Sequence, residues 1–147
     1  MIYNEYETTY IVQPDLPESE VTRLQEKFLG IIDARQGKLL VRDDMGKRRL
    51  AYPIGRHSYG IYVYLNYAAP ADLIAELERN LRNEDTVVRF LTVLNESGID
   101  PEERRTVAEE RQRKRLEARV AAAEEDDMDA DDVVDVEQVE NDGGDED

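Results

Sequence analysis

Four cationic side chains lie close together near the middle of the chain, at Lys47, Arg48, Arg49 and Arg56. Lysine and arginine bind phosphate oxygens, and arginine does so with two parallel hydrogen bonds. Because neighbouring residues of a strand point to opposite faces, Lys47 and Arg49 are predicted to lie on the face opposite Arg48. Only part of the group can then contact one ligand. Taken alone, these residues favour another interpretation, a charged sheet edge that resists aggregation.

Two further arginines, Arg82 and Arg89, flank a polar segment at residues 83–85. One interpretation is that they contact a nucleic-acid backbone at the rim of a sheet. The other is that they pair with the neighbouring acids, which contributes roughly 0–1 kcal/mol for exposed groups. Both interpretations require only solvent-accessible side chains, so the sequence leaves the choice open.

Two tyrosines, Tyr62 and Tyr64, alternate along a segment rich in aromatic and β-branched residues. Aromatic residues on an open sheet face can stack on bases, as in RNA-recognition motifs. However, Ile61 and Val63 stand where that motif would place key aromatics, and tyrosines on strands are more often packing residues. The residues therefore favour packing over stacking.

The sequence contains few residues of the types that form catalytic or metal sites. His57 is the sole histidine and the chain has no cysteine, so neither a catalytic triad nor a cysteine-ligated metal site is predicted. No glycine-rich phosphate loop or nucleophile elbow is present. We therefore expect no catalytic residue, no bound metal, no cofactor and no small-molecule substrate.

Hydrophobic periodicity predicts the elements that carry these residues. Their order is strand, helix, strand, strand, helix, strand, which is the α+β ferredoxin-like βαββαβ sandwich with two helices on one face of a four-stranded antiparallel sheet. Strands are predicted at residues 5–12, 38–54, 59–67 and 86–94, and helices at residues 18–34 and from residue 72. A bulge is predicted at residues 43–46 and a hairpin turn at residues 55–58. Of the third strand, the face of Tyr59, Ile61, Val63, Leu65 and Tyr67 is the predicted core face.

Charge divides the chain into three predicted parts. Residues 1–98 form the ferredoxin-like RNA- or protein-binding domain, residues 99–123 a charged, arginine-rich helix, and residues 124–147 a disordered acidic tail. The net charge is −4 over residues 1–100, +2 over residues 101–123 and −14 over residues 124–147, so the whole-chain charge of −16 describes mainly the tail. The arginines of the helix can be an RNA-binding arm, although five interleaved glutamates favour a solvated helix.

Residues 46–55, GKRRLAYPIG, resemble the signature of the bacterial ribosomal protein S6 family of the small ribosomal subunit. That signature runs glycine, any residue, basic, polar, leucine, alanine or serine, tyrosine, any residue, isoleucine. Its positions are carried here by Gly46, Arg48, Leu50, Ala51, Tyr52 and Ile54. Tyr6-Glu7 and Leu81-Arg82 also agree with the family, and the resemblance covers about residues 5–95.

The resemblance implies a cytoplasmic, ribosomal protein that is not an enzyme. It implies binding to the central domain of small-subunit ribosomal RNA, as a heterodimer with ribosomal protein S18, and no membrane partner. It also favours phosphate binding over a charged sheet edge as the interpretation of the cations. The predicted RNA-binding residues are therefore Lys47, Arg48, Arg49, Arg56, Arg82 and Arg89. Asn4 and Glu5 stand where many members have basic residues, which argues against a phosphate contact there. The alternatives are an independent RNA-recognition-type module for single-stranded RNA and a protein adaptor that never binds RNA.

Overall fold

The computed structural model describes the backbone of residues 1–140 and the side chains of residues 1–126. The elements are β1 (Tyr3–Val12), α1 (Glu18–Ala34), β2 (Lys38–Ile54), β3 (His57–Ala69), α2 (Asp72–Asn83), β4 (Val87–Ile99) and α3 (Pro101–Glu140). The sheet order is β2-β3-β1-β4, with antiparallel pairing between neighbours. This is the predicted ferredoxin-like sandwich, followed by the predicted C-terminal helix.

The hydrophobic core lies between one face of the sheet and the two helices α1 and α2. Leu24 and Phe28 of α1 and Leu77 of α2 are fully buried against Tyr10 of β1, whose ring meets the Phe28 ring edge to face at 5.0 Å. The apolar residues of α1 and α2 recur at helical spacing, so each helix buries one stripe. We call the opposite side of the sheet, which α1 and α2 leave uncovered, the open face.

The alternation along β3 agrees with the predicted core face, with one correction. Val63, Leu65 and Tyr67 are fully buried, while Tyr59 is 48% exposed. The pairing of β1 with β3 ends at Val12 opposite Ile61. Tyr59 lies beyond that pair, so no third strand or helix covers it, although its parity is that of a core residue.

Beyond the pair of Lys47 and Ile61, β2 and β3 continue as a two-stranded hairpin. We call residues 46–61, from the bulge at Gly46 through this pair, the basic hairpin. Arg49 pairs with Tyr59 and Ile54 with His57, with irregular pairing between these two positions. The pairing of β2 also shifts between Asp44 and Gly46, at the predicted bulge. Gly46 and Gly55 adopt positive φ angles of 74° and 59°, which glycine reaches without steric cost.

Strand β4 extends to Ile99, five residues past its predicted end at residue 94. The polar residues after residue 94 form an irregular part of the strand, with Ile99 paired to Tyr3 across shifts in register. The side-chain oxygen of Asn4 accepts a hydrogen bond of 3.1 Å from the backbone N–H of Gly98, whose φ is 65°. Polar residues and glycine are found both after strand ends and in strand bulges, which explains why the predicted strand is too short.

Helix α3 begins immediately after Asp100, whose side-chain oxygen accepts hydrogen bonds from the N–H groups of Glu102 (3.0 Å) and Glu103 (3.4 Å). Aspartate is a favoured residue at this position because it satisfies N–H groups that have no partner within the helix. The chain divides into two compact units, Met1–Ala108 and Glu109–Asp147, and the division falls within α3.

Helix α3 is longer than the predicted helix, which ended at residue 123. It continues through the first part of the segment predicted to be disordered, where no glycine or proline occurs before Gly143. Disorder of the acidic tail stays a prediction, and its residues 141–147 lie outside the described residues. Within the described part of the chain, no helix is long and apolar enough to cross a membrane.

Candidate nucleic-acid interface

The sheet register brings the predicted RNA-binding cations to one end of the first unit. Lys47 pairs with Ile61, Ile61 with Val12, and Val12 with Val87 at the start of β4. The base of the basic hairpin, the end of β1 and the beginning of β4 therefore form one row across the sheet. We call this the hairpin end of the sheet.

Two of the cations reach the hairpin end from outside the hairpin. Arg89 is opposite Ile11, one residue from the end of β1. Arg82 lies in the last turn of α2, shortly before β4 begins at Val87. Residues that are far apart in sequence are thus placed at the same end of the fold by strand pairing.

Within the hairpin, the cations divide between the two faces of the sheet. Arg48 pairs with Gly60, on the open face, while Lys47 and Arg49 pair with Ile61 and Tyr59, on the other face. This is the predicted alternation. A flat ligand on the open face can therefore contact Arg48, and one on the other face can contact Lys47 and Arg49. A ligand that contacts all three must surround the hairpin.

The hairpin cations are exposed and lack carboxylate partners. No Asp or Glu occurs in the sequence between Met45 and Asn66, and among the described residues no ion pair joins Lys47, Arg48, Arg49 or Arg56 to an acid. The Lys47 ammonium instead lies 5.9 Å from the centre of the Tyr59 ring, and the Arg48 Nε–H donates to the Met45 carbonyl at 3.3 Å. Both contacts leave the positive charge uncompensated and open to solvent.

Arg82 and Arg89 differ in their surroundings. Arg82 pairs with Glu78 one turn earlier in α2, at 3.4 Å, rather than with the acids that follow it. Of those acids, Glu84 is engaged by Lys27 at 2.6 Å. Arg89 is exposed and has no ion pair within the part of the chain whose side chains are described. An exposed i,i+4 pair contributes well under about 1 kcal/mol, so a phosphate can replace Glu78 at little cost.

The family signature residues shape the hairpin that carries the cations. Gly46 provides the positive φ at the bulge, and Leu50 is buried with its Cδ2 atom over Gly60. Tyr52, by contrast, is 79% exposed and makes no core contact. A Cβ atom on Gly60 would lie 2.3 Å from the Ile11 Cγ2 atom, so only glycine fits where β1 ends beneath the hairpin.

The open face carries carboxylates beside its tyrosines. The Tyr64 hydroxyl donates a 2.7 Å hydrogen bond to Glu7, and Asp43 pairs with Tyr64 across the strands. Glu5 lies further along the same face and is the partner of Asn66 and Asn95. Such carboxylates repel phosphate, and they engage a tyrosine that an RNA-recognition motif would leave free for a base.

The opposite end of the sheet holds a polar group that the sequence did not single out. Arg104, in the first turns of α3, donates to Glu5 at 3.2 Å and also to Glu96. Lys38 of β2 pairs with Glu102 at 3.1 Å. The one available signal was Glu5 itself, because it stands where the resembling family often has a basic residue. Its side chain holds α3 to the sheet instead.

The residues described contain no group of three or more histidine, cysteine or acidic side chains arranged to hold a cation. The pKa values of Tyr10 and Tyr67 are raised by burial, that of Tyr67 to about 12. Both side chains lie in the core, so their raised pKa values result from burial on folding and do not indicate a functional site.

Comparison with known proteins identifies a family for most of the chain. The family model described as Ribosomal protein S6 matches residues 5–94. A small ribosomal subunit protein bS6 from Syntrophobacter fumaroxidans is 40% identical over 97 residues, which cover 66% of each chain. One from Prochlorococcus marinus is 46% identical over 88 residues, which cover 60% of this chain and 51% of the relative.

The structural comparison agrees. The crystal structure of 30S ribosomal protein S6 from Thermotoga maritima superposes with a TM-score of 0.61 and 27% sequence identity. The match covers 78% of this chain and 98% of the other. The sequence relatives are matched over about half to two thirds of their own length. The family model covers the basic hairpin and all of the sheet except the first two residues of β1 and the last five of β4.

Proposed function

This chain belongs to the ribosomal protein S6 family, and from that membership we propose that it is a non-enzymatic, structural protein of the small ribosomal subunit in the cytoplasm. It binds ribosomal RNA through the cations gathered at the hairpin end of the sheet. The observation that supports this most directly is the exposed basic hairpin, which has four cations and no acid. Exposed arginines and lysines without carboxylate partners are available for phosphate oxygens.

We assign the main phosphate contacts to Lys47, Arg48, Arg49 and Arg56, with Arg82 and Arg89 at the border of the same surface. The two faces of the hairpin carry different cations, so the hairpin is suited to insertion between RNA segments rather than to lying on one of them. In this proposal the RNA is the central domain of the small-subunit ribosomal RNA, at a helical junction.

The same proposal includes ribosomal protein S18 as the protein partner. The domain has net negative charge over residues 1–100, so its RNA affinity alone is low and a basic partner supplies further attraction. Strand β4 is an edge of the sheet and exposes Leu91 (65%), Val93 (44%) and Leu94 (52%). An edge with exposed apolar side chains suits strand pairing with a partner, and we place S18 there.

The first test is to titrate labelled central-domain RNA with this protein, with S18 and with both, across a range of salt concentrations. We expect weak binding alone and a large gain in affinity with S18. Replacing Arg48, Arg49 and Arg56 by glutamine should reduce the slope of log affinity against log salt by about 0.7–0.9 for each phosphate that is no longer bound. Equal affinity with and without S18 would contradict the heterodimer.

A matched control removes a positive charge elsewhere. Arg35 follows α1 at the opposite end of the sheet, just before β2 begins at Lys38, and pairs with Glu76 at 3.8 Å, so Arg35→Gln should leave the salt slope unchanged. The single-strand alternative predicts instead that Tyr62→Leu abolishes RNA binding while the hairpin variant retains it. That outcome would replace the present proposal.

A further inference from the structure

Three arginines of α3 lie on one side of the helix. Arg111, Arg115 and Arg119 follow one another at intervals of four residues, and all three are exposed. With 3.6 residues per turn they fall within an arc of about 80°, in a row about 12 Å long. We call them the arginine stripe.

The acidic residues beside the arginine stripe, between Val107 and Glu124, lie on other sides of α3. None of the three arginines has an Asp or Glu three or four residues away on either side, where helical ion pairs form. Glu117 follows Arg115 by two residues and therefore lies about 200° away around the helix. Glu110 and Glu124 precede and follow Glu117 at seven-residue intervals, so they share its side. Between Val107 and Glu124 the charges are therefore segregated rather than mixed, and the first acid on the side of the stripe is Asp126, seven residues beyond Arg119.

This arrangement is unfavourable for the helix on its own. Like charges four residues apart destabilise an isolated helix, and the stripe contains two such pairs. The other cations of the segment differ, since Arg113 and Lys114 each lie four residues after a glutamate, in the stabilising orientation. The unbalanced side of the helix is therefore complementary to a negatively charged ligand.

The residues beside the stripe favour RNA over a protein as that ligand. Most positions three or four residues from the stripe are small or polar, namely Ala108, Gln112, Lys114, Ala118, Ala122 and Ala123. Val107 and Leu116 are the larger apolar residues among them, and no aromatic residue is present. Protein interfaces depend on large apolar or aromatic anchors, of which two aliphatic side chains supply few. Phosphate contacts require only long cationic side chains, and a straight row of them can lie along a phosphate backbone.

We propose that Arg111, Arg115 and Arg119 form a second RNA-binding surface, which contacts a phosphate backbone in addition to the basic hairpin. The surface is sequence-independent because arginine contacts to phosphate carry no base information. It adds affinity through counterion release, and this contribution falls as salt rises.

The test measures the salt dependence of binding to the central-domain RNA for the full chain in which Arg111, Arg115 and Arg119 are all glutamine. We expect the slope of log affinity against log salt to fall by about 2–3, since each phosphate that is no longer bound reduces it by about 0.7–0.9. Circular dichroism of the same variant should show helix content equal to or above that of the original chain. That result would separate weaker phosphate binding from unfolding of the helix.

The control variant changes the net charge equally but spares the stripe, with Arg105, Arg113 and Lys114 replaced by glutamine. We expect its slope to change by less than about 1. Equal slopes for the two variants would assign the effect to net charge and overturn the proposal, as would an unchanged slope for the stripe variant. A loss of S18 affinity with unchanged RNA binding would assign the stripe to the protein partner and also overturn it.

The hairpin variant distinguishes this inference from the proposed function, on which it rests. If the Arg48, Arg49 and Arg56 variant loses RNA affinity while the stripe variant does not, the second surface fails and the proposed function stands. If the stripe variant alone loses affinity, the stripe is confirmed and the assignment of the hairpin fails.

Discussion

Thr8 lies at the centre of the sheet, where its side chain links three strands. Its hydroxyl oxygen is 2.8 Å from the Tyr67 hydroxyl of β3 and 2.9 Å from the Thr92 hydroxyl of β4. Thr8 and Tyr67 are both fully buried. A buried hydroxyl without a partner loses its hydration and gains nothing in return, so this small network is sensitive to the loss of any member.

Thr8→Val keeps the shape of the side chain and removes its hydroxyl. The Tyr67 hydroxyl then loses its partner at 2.8 Å and keeps only its weaker interaction with the Thr92 hydroxyl, and we expect a loss of about 1–3 kcal/mol in the free energy of unfolding. Tyr67→Phe leaves Thr8 bonded to Thr92 and should cost only about 1 kcal/mol. The double variant buries no unpaired tyrosine hydroxyl, so it should be more stable than the sum of the two losses implies, by about 1 kcal/mol or more.

The measurement is urea unfolding of the full chain followed by near-ultraviolet circular dichroism of the tyrosines, since the chain has no tryptophan. Thr9→Val is the control, because Thr9 is on the open face and only partly buried, and its effect should stay within about 0.5 kcal/mol. Additive losses in the Thr8 and Tyr67 double variant would refute the reasoning, because they would mean that the two hydroxyls do not interact.

Further predictions concern the same domain. Burial raises the pKa of Tyr67 from 10 to about 12, so between these pH values the unfolded chain binds fewer protons than the folded one. Stability should therefore be fully present below pH 10 and fall as pH rises to 12, with Tyr67 contributing up to about 3 kcal/mol of the loss. Burial also raises the pKa of Tyr10, which adds to the loss, so Tyr67→Phe should remove only the Tyr67 part in urea unfolding at each pH. Gly60→Ala places a Cβ atom 2.3 Å from Ile11 Cγ2 and should cost about 1–3 kcal/mol in thermal or urea unfolding. Gly30→Ala, in open space on α1, should stabilise the protein by about 0.5–1 kcal/mol, and a Gly60 variant as stable as this control would contradict the packing argument.

The elements that were predictable from sequence are those whose periodicity reflects a continuous buried stripe. Helix α1 has the predicted bounds of residues 18–34, because its apolar residues keep helical spacing up to the chain reversal before Gly37. The bulge near Gly46 and the turn at Gly55 were predictable because glycine marks positive φ. Tyr59 was misplaced because parity gives the face of a residue but not whether a neighbouring strand reaches it.

The candidate interface was predictable only in part. Lys47, Arg48 and Arg49 are neighbours in sequence and are recognisable as a charge run, and strand parity predicts their faces. The register that brings Arg82 and Arg89 to the same end of the sheet depends on pairings between distant segments, which local patterns do not encode. The same holds for Arg104, whose partner Glu5 is 99 residues away in sequence.

The hairpin extends past the last residue of β1, and there it has no third strand and no helix packed against it. Two strands without such support are marginally stable in water. The part of the domain that is proposed to bind RNA is therefore the part least stabilised by packing. The rest of the sheet is stabilised by the hydrophobic core. A segment of this kind can adapt its twist to the ligand, and some of the free energy of association is consumed in ordering it.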